Sequence, residues 1–346
     1  MRSSSQRLRG AAFCALFAAG ALAAGPTPAE PPRVLADIPP VHALASQVMA
    51  GVGAPALIVP PGASPHGYAL RPSEAGALEQ ADIVFWVGEA LSPWLHDAIE
   101  ALAADAVSVE LAEAQGVARL PYRMGATFEK HVHDEAEEHG HDHDHAHEAD
   151  AKADAHDHDH DHDHDHDRDH DHDDHVFDSH LWLDPENAKA WLTAMATALS
   201  QADPENAARY FANAAAAQAG LDALMAEIAE TVAPARDKGF IVFHDAYQYF
   251  ERRFGLSASG SIVVGDGAQP SAARLAEIRG KIGELGATCV FSEPQFPPRV
   301  IDAVVEGTQA RKGALDPLGA SLEPGPDLYA GLLRGMARDL TECLAD

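Results

Sequence analysis

The chain has 346 residues, 46% of them hydrophobic, and is longer than one hydrophobic core usually supports, so two folded domains are expected. Its formal net charge of −30 at pH 7 excludes nucleic acid and anionic lipid as main partners, because such a surface repels polyanions and attracts cations. More than half of this charge lies between His131 and His175, which contain nineteen Asp and Glu residues but only two basic ones, Lys152 and Arg168.

The first residues have the pattern of a secretory signal peptide. Arginines at positions 2, 7 and 9 precede an apolar stretch of fourteen residues, 11–24. Within it, Ala21-Leu22-Ala23 fits the small-x-small pattern of a cleavage site. The stretch is too short to span a bilayer, and an ordinary N-terminal helix is the alternative. We therefore predict a signal peptide over residues 1–23 and a soluble exported protein.

Removal of residues 1–23 leaves two cysteines, Cys289 and Cys343. An even pair in an oxidising compartment predicts a disulfide, and two buried free thiols are the alternative.

Short apolar runs alternate with helical stretches from residue 33 onward. Strands are predicted at 33–38, 55–59, 81–87 and 106–109, and helices at 42–50, 71–80 and 91–103. This alternation predicts a parallel sheet with crossover helices. We assign residues 31–202 to an N-terminal α/β lobe.

A His/Asp-rich insertion interrupts this lobe. The tract from His131 to His175 holds sixteen of the chain's twenty-one histidines, and no part of it can anchor an apolar core, so we predict a disordered, exposed loop over residues 129–178. Imidazole and carboxylate groups are ligands of borderline divalent metals, zinc foremost. The candidate accessory ligands are His141, His143, His145, His147, His156, His158, His160, His162, His164, His166, His170, His172 and His175.

A long helix follows the lobe. Asp184 and Pro185 begin one helix, which runs to about Ser200, and Asp203 then caps a second. Apolar residues recur at helical spacing from there to Val232, which predicts a rigid backbone helix of about thirty residues.

The alternation then resumes in a C-terminal α/β lobe, residues 234–346. Its strands are predicted at 240–243, 261–264 and 288–291, and its helices at 244–253, 271–283, 298–309 and 327–344. The predicted fold class is α/β, with two lobes, each a mostly parallel sheet with flanking helices. The backbone helix, residues 203–233, joins them.

Five histidines lie outside the insertion, and three of them adjoin predicted strands or short apolar segments. His66 follows the strand at 55–59, His180 precedes a short apolar segment, and His244 ends the strand at 240–243. Ligands bind outside the carboxyl ends of strands in open α/β sheets, and three neutral imidazoles supply three of zinc's four ligands. Spacing alone leaves a structural role open for each. His42 and His96 lie within predicted helices, which favours a structural role for both.

Five segments, in order, resemble the motifs of the cluster A-I metal-binding proteins, which are substrate-binding components of metal ABC transporters. These segments are 62–73, 180–186, 243–250, 291–296 and 315–319. The resemblance is closest to the zinc branch, the ZnuA-type periplasmic receptors, in which a His/Asp-rich insertion before the second motif is typical. It covers essentially the whole mature chain.

The resemblance implies a function. It implies two α/β lobes with the metal between them, capture of Zn²⁺ as transported ligand in the periplasm, delivery to a membrane ABC permease, and no catalysis. It further implies a monomer without nucleic-acid partners. The insertion would act as an accessory zinc antenna, as a sensor, or as an acceptor of zinc from a periplasmic chaperone; a solvating loop without function is the alternative.

The resemblance also assigns site residues. His66, His180 and His244 match the metal-binding histidines of the family. A third histidine at position 244 favours zinc, because the manganese and iron branch usually has a carboxylate there. Asp316 matches a ligand of the manganese branch and is a fourth ligand, a supporting residue, or neither. Pro65 offers no ligand atom, so water is a further candidate for the fourth position.

Two more carboxylates lie near the predicted site. Asp245 and Glu293 are expected to hydrogen-bond the ligands or their loops. Cys289 and Cys343 match a cysteine pair of the zinc branch, which favours the disulfide. The alternatives are a manganese, iron or nickel receptor, a secreted zinc hydrolase, and a periplasmic zinc buffer without a transporter.

Overall fold

A computed structural model describes residues 30–123, 177–263, 270–284, 286–297 and 299–345. The chain divides into two compact units, residues 1–30 and 31–346. Of the first unit only Glu30 is described, so the predicted signal peptide lies outside the described residues. The accessory histidines from His141 to His175 also lie outside them. Phe177 and Asp178, at the end of the predicted loop, are described and buried.

The first half of the second unit, residues 31–202, contains a four-stranded parallel sheet in the order β2-β1-β3-β4. Its strands are β1 (Val34–Ala36), β2 (Ala56–Leu57), β3 (Ile83–Trp86) and β4 (Val107–Glu110). The helices are α1 (Pro39–Val48), α2 (Pro72–Leu78), α3 (Pro93–Leu102) and α4 (Pro185–Ala202). The predicted α/β alternation is therefore confirmed.

The second half, residues 234–345, contains a parallel sheet with the corresponding order, β6-β5-β7-β8. Its strands are β5 (Gly239–Val242), β6 (Gly260–Ser261), β7 (Ala287–Ser292) and β8 (Arg311–Ala314). The helices are α6 (Gln248–Phe254), α7 (Ala272–Glu284), α8 (Arg299–Val305) and α9 (Leu328–Leu344). In each sheet the strand order reverses between the two central strands, β1 and β3 in the first sheet and β5 and β7 in the second. Ligands of open α/β sheets bind at this point.

The predicted long helix is present but shorter. A 3₁₀ turn, Pro204–Asn206, precedes α5, which spans the 25 residues Ala207–Thr231, about 37 Å at 1.5 Å per residue. It packs against α1 and α4 of the first half and against α9 of the second. The division into two lobes and a linking helix stays a prediction, because residues 31–346 cluster as one compact unit.

The two faces of the second sheet contribute to different apolar clusters. Phe240 and Val242 belong to the larger cluster, which extends through the first sheet, α1, α4, α5 and α9. Ile241 and Phe243 belong to a smaller cluster with α7 and α8. This follows from the two-residue period of side chains along a strand. One core therefore packs both halves together.

Two further elements of the second half differ clearly from the prediction. The helix expected from His244 begins at Gln248, so His244–Tyr247 form a loop after β5. Strand β8 was not predicted, because its sequence, Arg-Lys-Gly-Ala, has no β-branched or aromatic residue. It forms the edge of its sheet and pairs only with β7 among the described strands.

Asp37 connects the carboxyl ends of two neighbouring strands. Its Oδ1 accepts from the amide of Ile38 at 2.7 Å, and its Oδ2 accepts from the amide of Val87, just beyond β3, at 2.8 Å. Complete burial raises the pKa of Asp37 to about 7, against the lowering effect of these amides. The carboxyl group of Asp37 thus holds the carboxyl ends of β1 and β3 together.

The predicted disulfide is confirmed: Cys289 and Cys343 are bonded and join β7 to α9. No helix in the described part of the chain combines the length and the apolar character required to cross a bilayer.

Candidate metal centre

Three histidines from separate parts of the chain meet at one point. His66 lies in the loop after β2, His180 directly precedes the 3₁₀ turn Leu181–Leu183, and His244 lies in the loop after β5. One ring nitrogen from each lies within 4.8 Å of the others. The Nε2 atoms of His180 and His244 are 3.2 Å apart. Zinc–nitrogen bonds of about 2.05 Å in a tetrahedral shell place two nitrogens about 3.3 Å apart, so this spacing fits zinc.

The site is shielded from solvent on most sides. His180 and His244 are only 1% and 4% exposed, whereas His66 is partly exposed. A cavity of about 10 Å³, the size of one water-sized sphere, lies between the three rings. Its other walls include Pro65, Trp182, Phe296 and Leu318. A space of this size fits a single ion, and His66 lies on the more open side.

A buried carboxylate orients His180. Oδ1 of Asp178 lies 2.7 Å from Nδ1 of His180 and also accepts from the backbone amide of His180 at 3.0 Å. An ionised carboxylate only accepts, so Nδ1 carries the ring proton and leaves the Nε2 lone pair for a metal.

Glu293 does the same for His244. Its Oε1 and Oε2 lie 2.8 and 2.7 Å from Nδ1, and Oε1 also accepts from the amide of His244 at 3.2 Å. His244 and Glu293 follow β5 and β7, which are paired neighbours at the point where the second sheet reverses its winding. The predicted contact of Glu293 with a ligand is therefore present.

Asp178 was missed in the sequence, although a signal for it exists. In Asp178-Ser179-His180 the carboxylate is two residues before the ligand, the spacing at which an Asp side chain accepts from the backbone amide. The same carboxylate then reaches the ring nitrogen of that residue.

The carboxylate of Asp245 binds Arg123, a residue of the first half. Both of its carboxylate oxygens accept from Nε of Arg123, at 3.0 and 2.9 Å, and Oδ1 also accepts from the Nη2 atom. Burial raises the pKa of Asp245, and the guanidinium of Arg123 opposes the rise. A hydrogen bond of Asp245 to a ligand histidine or its loop stays a prediction.

Asp316 organises its own loop. Its Oδ1 accepts from the amides of Leu318 at 3.1 Å and Gly319 at 3.0 Å, and from Nε2 of Gln295 at 3.3 Å. It does not belong to the group whose ligand atoms lie within 4.8 Å. A ligand role for Asp316, with water as the alternative, therefore stays a prediction.

The other two histidines of the described residues lie in helices. His42 is buried in α1, with Nε2 3.1 Å from the carbonyl oxygen of Pro55, and burial lowers its pKa. His96 lies in α3, 3.4 Å from Glu100. Neither joins the three-histidine group.

Taken together, the groups at this point are suited to binding one divalent cation. They provide three imidazole rings, and two of these, His180 and His244, are hydrogen-bonded to the carboxylates of Asp178 and Glu293. This is the composition of a binding site with oriented ligands.

Comparison with known proteins agrees with this chemistry. The family model described as "Zinc-uptake complex component A periplasmic" matches residues 34–343. The high-affinity zinc uptake system protein ZnuA of Brucella suis is 49% identical over 334 residues, covering 96% of each chain. Its counterpart from Paracoccus denitrificans is 49% identical over 330 residues, covering 95% of this chain and 97% of the relative.

Solved structures share the fold. A crystal structure of ZnuA superposes with a TM-score of 0.67 at 23% identity, covering 90% of this chain and 99% of the other. The periplasmic zinc-binding protein TroA from Treponema pallidum gives 0.69 at 19% identity, covering 91% and 100%. The chain therefore belongs to the family of periplasmic A components of zinc-uptake complexes, which are transport binding proteins and not enzymes.

Proposed function

We propose that this protein captures Zn²⁺ at His66, His180 and His244 and delivers it to a membrane ABC permease for high-affinity zinc uptake. The observation that carries the proposal is the convergence of three imidazoles, two of them 3.2 Å apart at Nε2 and each of these two held by a buried carboxylate. The curated relatives with 49% identity are named as high-affinity zinc uptake proteins, which supports it.

The donor set favours zinc over harder metals. Manganese, magnesium and calcium prefer oxygen ligands, whereas three imidazoles suit zinc, copper and nickel. Three protein ligands leave one position of a tetrahedral shell, for water or for Asp316. An incompletely closed shell also leaves a position at which a receiving ligand of the permease enters during transfer.

The partners follow from the same proposal. The receptor acts as a monomer, and its charge of −30 attracts cations and disfavours nucleic acid. The His/Asp-rich insertion binds further zinc as an antenna or sensor, or receives zinc from a periplasmic chaperone. These roles of the insertion rest on its composition, since it lies outside the described residues.

The test uses a protein from which His131–His175 has been deleted, so that zinc bound by the insertion cannot obscure zinc binding at the three histidines. Zinc affinity is measured by competition with a chelator for the parent deletion protein and for His244→Ala. We expect an affinity loss of more than about 100-fold, because removal of a group that merely supports a ligand already costs 10–100-fold. The affinity of the parent should fall as the pH drops through the histidine range, because protonated imidazole does not bind zinc.

His96→Ala is the matched control, because His96 lies in α3 and outside the three-histidine group. It should bind zinc like the parent. Equal affinity of His244→Ala and the parent would show that the three-histidine site is wrong. Delivery is tested separately, by zinc uptake in cells that carry the parent or the His244→Ala protein; equal uptake would contradict the transport role of the cleft.

A further inference from the structure

The His244 loop is held from two sides. Within the second half, Glu293 binds the ring and the amide of His244. On the other side the neighbouring residue, Asp245, binds Arg123, which belongs to the first half. The loop that supplies one zinc ligand is therefore fixed to the half that supplies the other two.

Arg123 has a second carboxylate partner. Its Nη1 donates to Oε2 of Glu251 at 2.8 Å, and its Nη2 donates to Oε1 of Glu251 at 2.9 Å. Glu251 lies in α6, the helix that follows the His244 loop. The exposed fractions are 16% for the side chains of Arg123 and Asp245 and 5% for that of Glu251. One largely buried guanidinium thus bridges two largely buried carboxylates, those of Asp245 and Glu251, across the two halves.

Neutral hydrogen bonds also join α6 to the first half. The hydroxyl of Tyr249, in α6, accepts from the amide of Leu120 at 2.9 Å and donates to the carbonyl of Asp178 at 2.8 Å. The amide of Asp178 donates to the carbonyl of Leu120 at 2.8 Å. Asp178 also binds His180. The contacts between the two halves therefore reach His180 through Asp178 and the His244 loop through Asp245.

We propose that Arg123 is a positioning residue for zinc binding, which holds the His244 loop and α6 in register with His66 and His180. The proposal rests on the zinc-binding function above. A tetrahedral site tolerates only a few tenths of an ångström in its ligand positions, so a fixed register between the halves is a requirement for affinity. Arg123 is not one of the three candidate ligands and acts through Asp245 and Glu251.

The test compares zinc dissociation rates of the parent, Arg123→Met and Arg123→Lys. We expect zinc to leave Arg123→Met at least about tenfold faster with little change in the association rate, because loosening a bound site acts mainly on dissociation. Arg123→Lys should lie between the two, since an ammonium group cannot bind two carboxylates in the bidentate manner of a guanidinium. Dissociation of Arg123→Met at the rate of the parent would overturn the proposal.

A second variant tests whether faster zinc release comes from the loss of positioning or from carboxylates left without a cation. The triple variant Arg123→Met, Asp245→Asn, Glu251→Gln removes the cation and both anions together, so it avoids the uncompensated carboxylates that destabilise the single variant. We expect it to fold and still to release zinc rapidly. Recovery of the parent's dissociation rate in the triple variant would overturn the positioning role.

Arg119→Met is the matched control. Arg119 pairs with Glu113 at 2.6 Å, so both partners of that ion pair lie in the first half. It should release zinc like the parent, and rapid release from it would overturn the assignment to Arg123. Failure of the parent to bind zinc would contradict the proposed function as well, whereas normal binding by both the parent and Arg123→Met would contradict only the role of Arg123.

Discussion

Two buried carboxylates determine which nitrogen of two histidines is available to a metal ion. Asp178 and Glu293 each accept from Nδ1, so the Nε2 atoms of His180 and His244 keep their lone pairs and lie 3.2 Å apart. Since each carboxylate also accepts from the backbone amide of its histidine, it fixes the ring relative to the main chain. Ligand geometry is thereby set before the ion arrives.

Substitution of Glu293 should lower zinc affinity in a graded manner. Glu293→Leu leaves the Nδ1 proton and the amide of His244 without an acceptor, and we expect an affinity loss of about 10–100-fold. Glu293→Gln retains an acceptor oxygen and should lose less. Chelator competition measures both variants.

Glu277→Gln is the control for this series, because Glu277 is an exposed residue of α7 that pairs with Arg274. It should leave zinc affinity unchanged. Parent-like affinity of Glu293→Leu would show that orientation of His244 does not depend on this carboxylate.

At the residue scale, the sequence predicted the three ligand histidines better than the residues that hold them in position. His66, His180 and His244 adjoin strands and a short apolar turn, which favours their meeting, and the resemblance to metal-binding receptors then assigned them as ligands. Arg123 and the carboxylates it binds are separated by more than 120 positions, and nothing local in the sequence indicates that contact.

Among the elements, β8 shows how packing overrides local preference. Its sequence is unfavourable for a strand, yet it pairs with β7 in parallel register from Arg311 to Ala314. The ring of Phe291 explains one residue of β8: a Cβ on Gly313 would lie 2.4 Å from its Cε1 atom. The glycine that weakens the strand signal is therefore required by the neighbouring strand.

Gly313→Ala should destabilise the protein by about 1–3 kcal/mol, because the added methyl group would displace the ring of Phe291. Urea denaturation of the zinc-free protein measures the change. Gly220→Ala is the control: Gly220 is an exposed residue of α5 with no atom within 4 Å of the position of a Cβ. It should stabilise the protein by up to about 1 kcal/mol. Equal stability of Gly313→Ala and the parent would contradict the close approach of β8 to β7.

The helix after β5 was predicted from the sequence, but its first residue was not. The stretch from His244 to Arg253 is compatible with one helix, but the helix begins at Gln248. The four residues before it are held by Glu293 and Arg123, contacts that involve residues distant in sequence. The strands other than β8 and the order of the helices were predictable from periodicity, whereas the start of a helix beside a site depends on tertiary contacts.

At the scale of the whole molecule, α5 and the shared apolar core should limit movement between the halves. Helix α5 packs against α1 and α4 on one side and α9 on the other, and one cluster of buried side chains continues through both halves. A hinge-type receptor instead has flexible crossings that permit large rotations. We therefore expect zinc binding to be accompanied by only a small rotation.

Removal of zinc with a chelator, followed by small-angle X-ray scattering of the zinc-free and zinc-bound protein lacking His131–His175, measures this movement. The two scattering profiles should nearly coincide. Crystal structures of both states would give the angle directly, and a rotation of tens of degrees would contradict the restraint by α5 and the core.

The hydrogen bond from the amide of Asp178 to the carbonyl of Leu120 has an evolutionary consequence. The described chain stops at Arg123, three residues after Leu120, and resumes at Phe177, one residue before Asp178, so this pair of residues flanks the insertion. The entropic cost of closing a segment between two such points grows with the logarithm of its length, so doubling it costs only about 0.6 kcal/mol. The insertion between Arg123 and Phe177 can therefore gain or lose residues at little entropic cost, and descendants of this protein can adjust their number of accessory histidines independently of His66, His180 and His244.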